Sequence, residues 1–331
     1  MLLPFGAALL LIAGCGQGER ASLQPAAPAS SAPTAAASPT PTGATAAAPG
    51  AGPVAPLTGL PVSAAVARRA AVAVPVPLSG GLGLDRADLV FQEYENPGVL
   101  RAIALFQSQD APRVGPVGQV RPVDPLLLPV LRPLYGNTGG STGIVGRLQD
   151  AEVIDVSTAA RPSAYESGTD GLTTSTRSLL AAAPLGAPPP KPQRSYSDGT
   201  EPLATGGLRT AGSVSITVAG NPTERWVWSA TQRRWTRSGA PRLSVANLVL
   251  QTVEYKTVQL KKPIRTVHSA RVLGRGACSA ASAGKVATCS WYKPSDTALT
   301  GYVDAAGVPL RFVPGPTWVV LVPKGSAVVV R

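Results

Sequence analysis

The hydrophobic pattern changes character several times along the chain. Leu9 to Ile12 form one short apolar run, and residues 16–56 then carry almost no large apolar side chain. After Pro56 strand-like segments begin. AAVAVPV, DLVFQEYE and VLRAIALFQ predict three strands, with Gly80, Gly81, Gly83 and Asn96-Pro97-Gly98 supplying the turns between them. The spacing then widens. PVDPLLLPVL predicts a short helix opened by proline, LYGNTGG a strand entering a turn, and STGIVGRLQD a helix capped by Ser141. AEVIDVS predicts another strand and TTSTRSLLAAA another helix. Interleaved strands and helices imply a layered α/β domain over residues 57–184.

Residues 185–212 lose all periodicity and read as a linker. From 213 to 331 the segments VSITVAG, RWVWSA, RRWTRSG, NLVLQTVEY, RTVHSARVL, ATCSWYK, TGYVDAAGVPLRFV and TWVVLVP are short, alternating and bounded by turns. That rhythm predicts a mostly β domain, a small sheet or sandwich. The expected fold class is therefore α+β, an α/β layered domain followed by a mostly β one.

The first apolar run belongs to a different kind of signal. LLLIAGCGQGER places small residues directly before Cys15 and polar, flexible chain after it. The run is too short for a stable membrane-spanning helix, so residues 1–14 read as a lipoprotein signal peptide. Cys15 is then the lipidation site, its thiol the anchor for a palmitate-type acyl group. The Lys or Arg that normally opens such a signal is missing from MLLPFGAA, which fits a true start upstream of Met1. Residues 15–56, rich in Ala, Pro, Ser and Thr, cannot bury enough surface to fold and read as a disordered tether. As a flexible coil such a tether reaches roughly 35 Å.

Composition sharpens the compartment. The chain has 331 residues and a formal charge of +12, and its pI is near 10.1. A basic surface outside the cytoplasm favours anionic neighbours, namely headgroups, wall polymers or acidic glycans. Nucleic acid is not expected, because no zinc-finger or RNP-type motif accompanies the charge. The remaining cysteines, Cys278 and Cys289, flank the small-residue stretch SAASAGKVAT, read as a loop that a disulfide would close. Such a bond persists in an oxidising compartment and is worth roughly 2 to 3 kcal/mol. With one histidine and no CxxC, neither a metal nor a cofactor is expected.

The C-terminal run CSWYKPSDTALTGYVDAAGVPLRFVPGPTWVVLVPKGSAVVV resembles the end of the YerB-like lipoproteins, a bacterial family of unknown function. WVWSATQRRWTRSGAPRLSVANLVLQ is similar to that family's first C-terminal hairpin. PLTGLPV, GLDRADLVFQEYE, LRAIALFQ, GPVGQVRP and GGS follow in its usual order. The resemblance implies an anchored protein with an α/β N-terminal and a mostly β C-terminal domain, and it implies no reaction. Arg101, Arg121, Gly139, Gly140 and Ser141 match the family pattern. The family carries a second arginine where this chain has Gly118, a histidine where it has Asn137, and a His-Asn pair near Asp170 and Gly171. A reaction needing imidazole at those positions would be lost here.

Candidate chemistry centres on the same region. Glu93 and Glu95 lie two apart on a strand, so both carboxylates face one way, within reach of Arg101 on the neighbouring strand. Paired carboxylates serve glycoside hydrolysis, yet a salt-bridged strand end accounts for the same residues. The GGS turn at Gly139, Gly140 and Ser141 precedes a helix and, with Arg121, could hold an anion, although simple capping also explains it. Ser282 and Lys285 fit an S-x-x-K spacing without the helix start or the partner motif that penicillin-recognising enzymes require. His268 has no evident acid partner. Trp226, Trp228, Trp235, Trp291 and Trp318 read as core packing rather than a sugar-stacking platform.

The expectation is thus a membrane protein held by its lipid anchor on the extracytoplasmic side, a non-catalytic binding or accessory component of the cell envelope. Its candidate ligand site comprises Glu93, Glu95, Arg101, Arg121, Asn137, Gly139, Gly140 and Ser141, with anionic wall polymers, glycan or envelope proteins as partners. The competing reading is a hydrolase of envelope glycan or peptide. A scaffold for protein partners is a third.

Overall fold

Three N-terminal strands set the frame: β1 (Val72–Pro77), β2 (Leu89–Asn96) and β3 (Val99–Phe106). The computed structural model describes residues 52–331 apart from 152, 198–202, 241 and 262–263. The expected signal, Cys15 and all but the last few residues of the tether lie outside these. β3 runs antiparallel to both β2 and β1, and the tight turn between β2 and β3 uses Gly98 at φ +74°, a conformation that disfavours any side chain. Two short strands, β4 (Leu134–Tyr135) and β5 (Ile154–Asp155), extend the edge beyond β1 in parallel.

The helices are short: α1 (Ala64–Arg68), α2 (Asp124–Leu127), α3 (Thr142–Gln149) and α4 (Thr176–Ala181). α2 starts with proline at its first turn and continues into a 3₁₀ turn over Pro129–Leu131, whose own proline stops a longer helix. α3 buries Ile144 and Leu148, one turn apart, against the sheet.

The second half contributes β6 (Ser213–Thr217), β7 (Glu224–Ser229), β8 (Arg234–Arg237), β9 (Asn247–Val253), β10 (Tyr255–Lys261), β11 (Ile264–Ala270), β12 (Gly274–Ser282), β13 (Lys285–Lys293), β14 (Gly301–Val303), β15 (Thr317–Pro323) and β16 (Ala327–Val330). Eleven described strands join one central sheet, in the order β14-β13-β12-β9-β15-β2-β3-β1-β4-β5, with Arg209–Thr210 pairing β13. The chain's two halves meet inside it. β15 lies between β9 and β2 and runs parallel to both, Val90 opposite Trp318 and Phe91 opposite Val319.

Because β2 and β15 are buried on both faces, they read as nearly unbroken apolar runs. One face carries Leu89, Phe91, Ile103, Val249 and Leu321, packed against Val123, Leu127 and Leu131 of the α2 region and against Leu260 and Val267 of the β10–β11 hairpin. The other carries Val72, Val74, Val90, Leu250 and Val320 and is covered by a five-stranded sheet containing β6, β7, β8 and β16. Trp226, Trp235 and Trp318 are fully buried there, Trp226 and Trp318 with ring centroids 5.4 Å apart. Trp226, Trp235, Trp291 and Trp318 form core, as their alternation predicts, and Trp228 packs against it only partly buried.

Two sequence expectations change. The stretch 185–212 is not free of structure, since Ser195–Tyr196 pairs with Arg311–Phe312 and Arg209–Thr210 pairs with β13. The small-residue stretch between the two cysteines is a hairpin rather than a loop. Cys278 on β12 sits directly opposite Cys289 on β13, and the two form a disulfide within the first core. Low propensity and the lack of large side chains hide this hairpin from periodicity; pairing with β9 holds it.

Candidate functional site

Alternation on β2 brings its two carboxylates to the β10–β11 hairpin. Glu93 is paired in register with Arg101, and its Oε1 accepts a hydrogen bond from Ala270 N–H at 3.1 Å. Its Oε2 has no hydrogen-bond partner and lies 3.6 Å from the Arg101 guanidinium. Glu95 sits where a bulge interrupts the β2–β3 ladder. Its Oε1 meets Arg121 Nε at 2.8 Å, off the hydrogen-bond line, and accepts a hydrogen bond from Arg265 Nη2 at 3.1 Å.

Arg101 is held mainly by a residue that sequence reasoning missed. Asp124, fully buried at the start of α2, takes Nη1 and Nη2 of Arg101 on its two oxygens, each at 2.7 Å. The Tyr135 hydroxyl and the Arg121 backbone N–H donate to the same carboxylate, at 2.5 and 2.8 Å. Three carboxylates thus face three guanidiniums, Glu93, Glu95 and Asp124 against Arg101, Arg121 and Arg265. Only Arg265 is well exposed, its side chain 39% open to solvent. Such a group of buried ions is stable only when its members satisfy one another.

The protonation equilibria follow from burial. Glu93 is pushed up to about 7 by desolvation, with Arg101 and the Ala270 N–H pulling the other way. Burial also raises Tyr135 well above the ordinary phenol range, reinforced by the Asp124 charge. For Arg101 burial disfavours the cation, but Asp124, Tyr135 and Glu93 together more than offset it and the net direction is upward.

The remaining candidates build the adjoining turn. Val120 N–H donates to Gly139 O and Thr138 N–H to Gly118 O, which sets Arg121 beside the turn. Asn137 Nδ2 donates to Tyr135 O while its Oδ1 accepts from Gly139 N–H at 2.8 Å, and Gly139 takes φ +77°. At Gly140 a Cβ would press within 3.1 Å of Val120 O. These residues hold backbone. The expected side-chain cap from Ser141 is not made: its carbonyl accepts from Ile144 and Val145, and its hydroxyl takes no part in capping. Arg121 likewise turns inward, donating to Gln119 Oε1 and Val120 O.

Elsewhere, Ser282 Oγ donates to Asn247 Oδ1 at 2.7 Å and is fully buried, while Lys285 donates to Thr210, so the two do not form a nucleophile pair. His268 lines a surface cleft with Tyr94, Tyr255 and Lys324. No helix among the described residues is long and apolar enough to cross a membrane, which says nothing of spans built from strands.

Residues 57–182 match the family model described as protein of unknown function (DUF3048), N-terminal domain, and residues 214–319 match its C-terminal domain. The chain belongs to the YerB-like DUF3048 family. A crystal structure of YerB protein from Bacillus subtilis has the same fold, with a TM-score of 0.68 at 21% identity, covering 83% of this chain and 99% of that one. No curated protein matches the sequence. The charge cluster of this YerB-like chain is drawn from both matched segments, Glu93 to Tyr135 from the first and Arg265 from the second.

Proposed function

We propose that this is a lipid-anchored extracytoplasmic protein that binds a component of the cell envelope without cutting it. The observation that carries this reading is that each carboxylate of the cluster is already engaged by the protein's own guanidiniums and N–H or O–H donors. A glycosidase needs one free acid and one free base or nucleophile flanking an open site. Here Glu95 is engaged by two guanidiniums, Asp124 by Arg101, Tyr135 and a backbone N–H, and Glu93 by Arg101 and Ala270. The outer edge of the cluster, Arg265, held on Glu95 together with the buried Arg121, offers a cationic group to an anionic wall polymer or acidic glycan, in keeping with the net charge of +12. The anchor rests on Cys15 and its flanks.

The anchoring half is tested by the mass of the N-terminal peptide from native membranes. A lipid-modified Cys15 is expected, and the Cys15→Ser variant should leave the membrane fraction. An unmodified peptide running through Cys15 would refute it. The binding half is tested by retention on purified envelope polymer: Arg121→Ala and Glu95→Ala should weaken it, and unchanged retention by both removes the proposed edge.

A further inference from the structure

A second polar site lies away from this cluster, in the stretch that sequence reading leaves as linker. Arg194 immediately precedes the short strand Ser195–Tyr196, which pairs in parallel with Arg311–Phe312. Its guanidinium carbon lies 5.5 Å from the Phe312 ring centroid and 6.0 Å from that of Tyr302, and the two rings meet edge-on at 6.2 Å. Stacking on two aromatic faces fixes such a group in place. Arg194 is only 9% exposed, yet two of its nitrogens, Nε and Nη1, are buried without any hydrogen-bond partner.

Among the described residues no carboxylate forms an ion pair with it. Among the described residues its titratable neighbours are the phenols of Tyr196 and Tyr302, and burial pushes both up to about 12 against the charge and hydrogen bonding of Arg194 itself. Both stay neutral at physiological pH, their hydroxyls donating to Leu57 O and Gln251 Oε1. A buried guanidinium without an anionic partner is costly, and a bound carboxylate would offset that cost.

Arg194 lines a cavity of about 70 Å³. Leu299, Pro309 and Leu310 give it apolar walls, and Ser195, Thr300 and Tyr292 add polar groups. The Tyr292 ring lies where Gly301 has no side chain; a Cβ there would come within 2.3 Å of it. We propose that this cavity binds a terminal carboxylate carrying a small apolar substituent, such as the C-terminal residue of a peptide, with Arg194 pairing the carboxylate. One cation matches one negative charge, whereas a phosphate dianion would keep charge uncompensated between apolar walls. The cavity has room for more than a single water and so admits a small group such as a carboxylate. This inference does not depend on lipid anchoring or on the acidic cluster.

The test is a ligand-observed NMR titration of the full chain with N-acetyl-L-alanine and N-acetyl-D-alanine, with N-acetylalaninamide and inorganic phosphate as comparison arms. At least one acid should bind, and the amide and phosphate should bind at least about tenfold more weakly, the scale of one charge-assisted pair. Arg194→Gln should lose at least about tenfold. Because that residue also packs on two rings, Thr300→Trp serves as the second variant: it fills the cavity, keeps Arg194 and should abolish binding. Failure of both acids to bind, equal binding of the amide or of phosphate, or wild-type affinity in the folded Thr300→Trp variant would overturn the proposal.

Discussion

Arg101 and Asp124, 23 residues apart in sequence, share two hydrogen bonds of 2.7 Å across the base of the central sheet. The pair is the pivot of the cluster, because Tyr135 and the Arg121 N–H also converge on the same carboxylate. Asp124→Asn keeps the shape and removes the charge. It strands a buried guanidinium and should cost about 3 to 5 kcal/mol in urea unfolding. A loss below about 1 kcal/mol, the range of an exposed pair, would mean that solvent already screens it.

Glu93 predicts a pH dependence of known sign. Its ordinary value is 4.5 and burial lifts it to about 7. The folded state therefore binds the proton more tightly than the unfolded one, so this contribution to stability is complete below pH 4.5 and is lost as pH rises through 7. Glu93→Gln should flatten the stability profile across that window, a change on the order of 3 kcal/mol between its ends. An unaltered slope in the variant would place the titration elsewhere.

The Cys278–Cys289 disulfide crosses a hairpin that contributes both cysteines to the core. Unfolding in reductant, or the double Cys278→Ala/Cys289→Ala change, should lower stability by roughly 2 to 3 kcal/mol, the value for a loop of this length. Identical midpoints with and without reductant would show that the ladder alone holds the strands.

Much of this architecture is legible in the chain. Alternation and the Asn-Pro-Gly turn place Glu93 opposite Arg101, and the strand runs of both halves are readable because large β-branched side chains mark them. What escapes is long-range. Asp124 and Arg265 reach the cluster from 23 and 170 residues away, and no local period reports such a meeting. That β15 enters the same sheet as β2 is equally invisible, since a parallel pairing leaves no turn between the partners. Arg194 hides for a third reason: its surroundings, LGAPPPKPQRSYS, are Pro-rich and aperiodic, and only tertiary packing buries it.

A protein that holds an envelope component and leaves its bonds intact retains the polymer without shortening it. The most direct test is to incubate the purified full chain with envelope polymer and follow both retention and fragment masses over time. The account predicts saturable retention, weakened by Arg121→Ala, with no new fragments. New fragments whose release stops in Glu93→Gln would contradict it and make the cluster a hydrolytic centre.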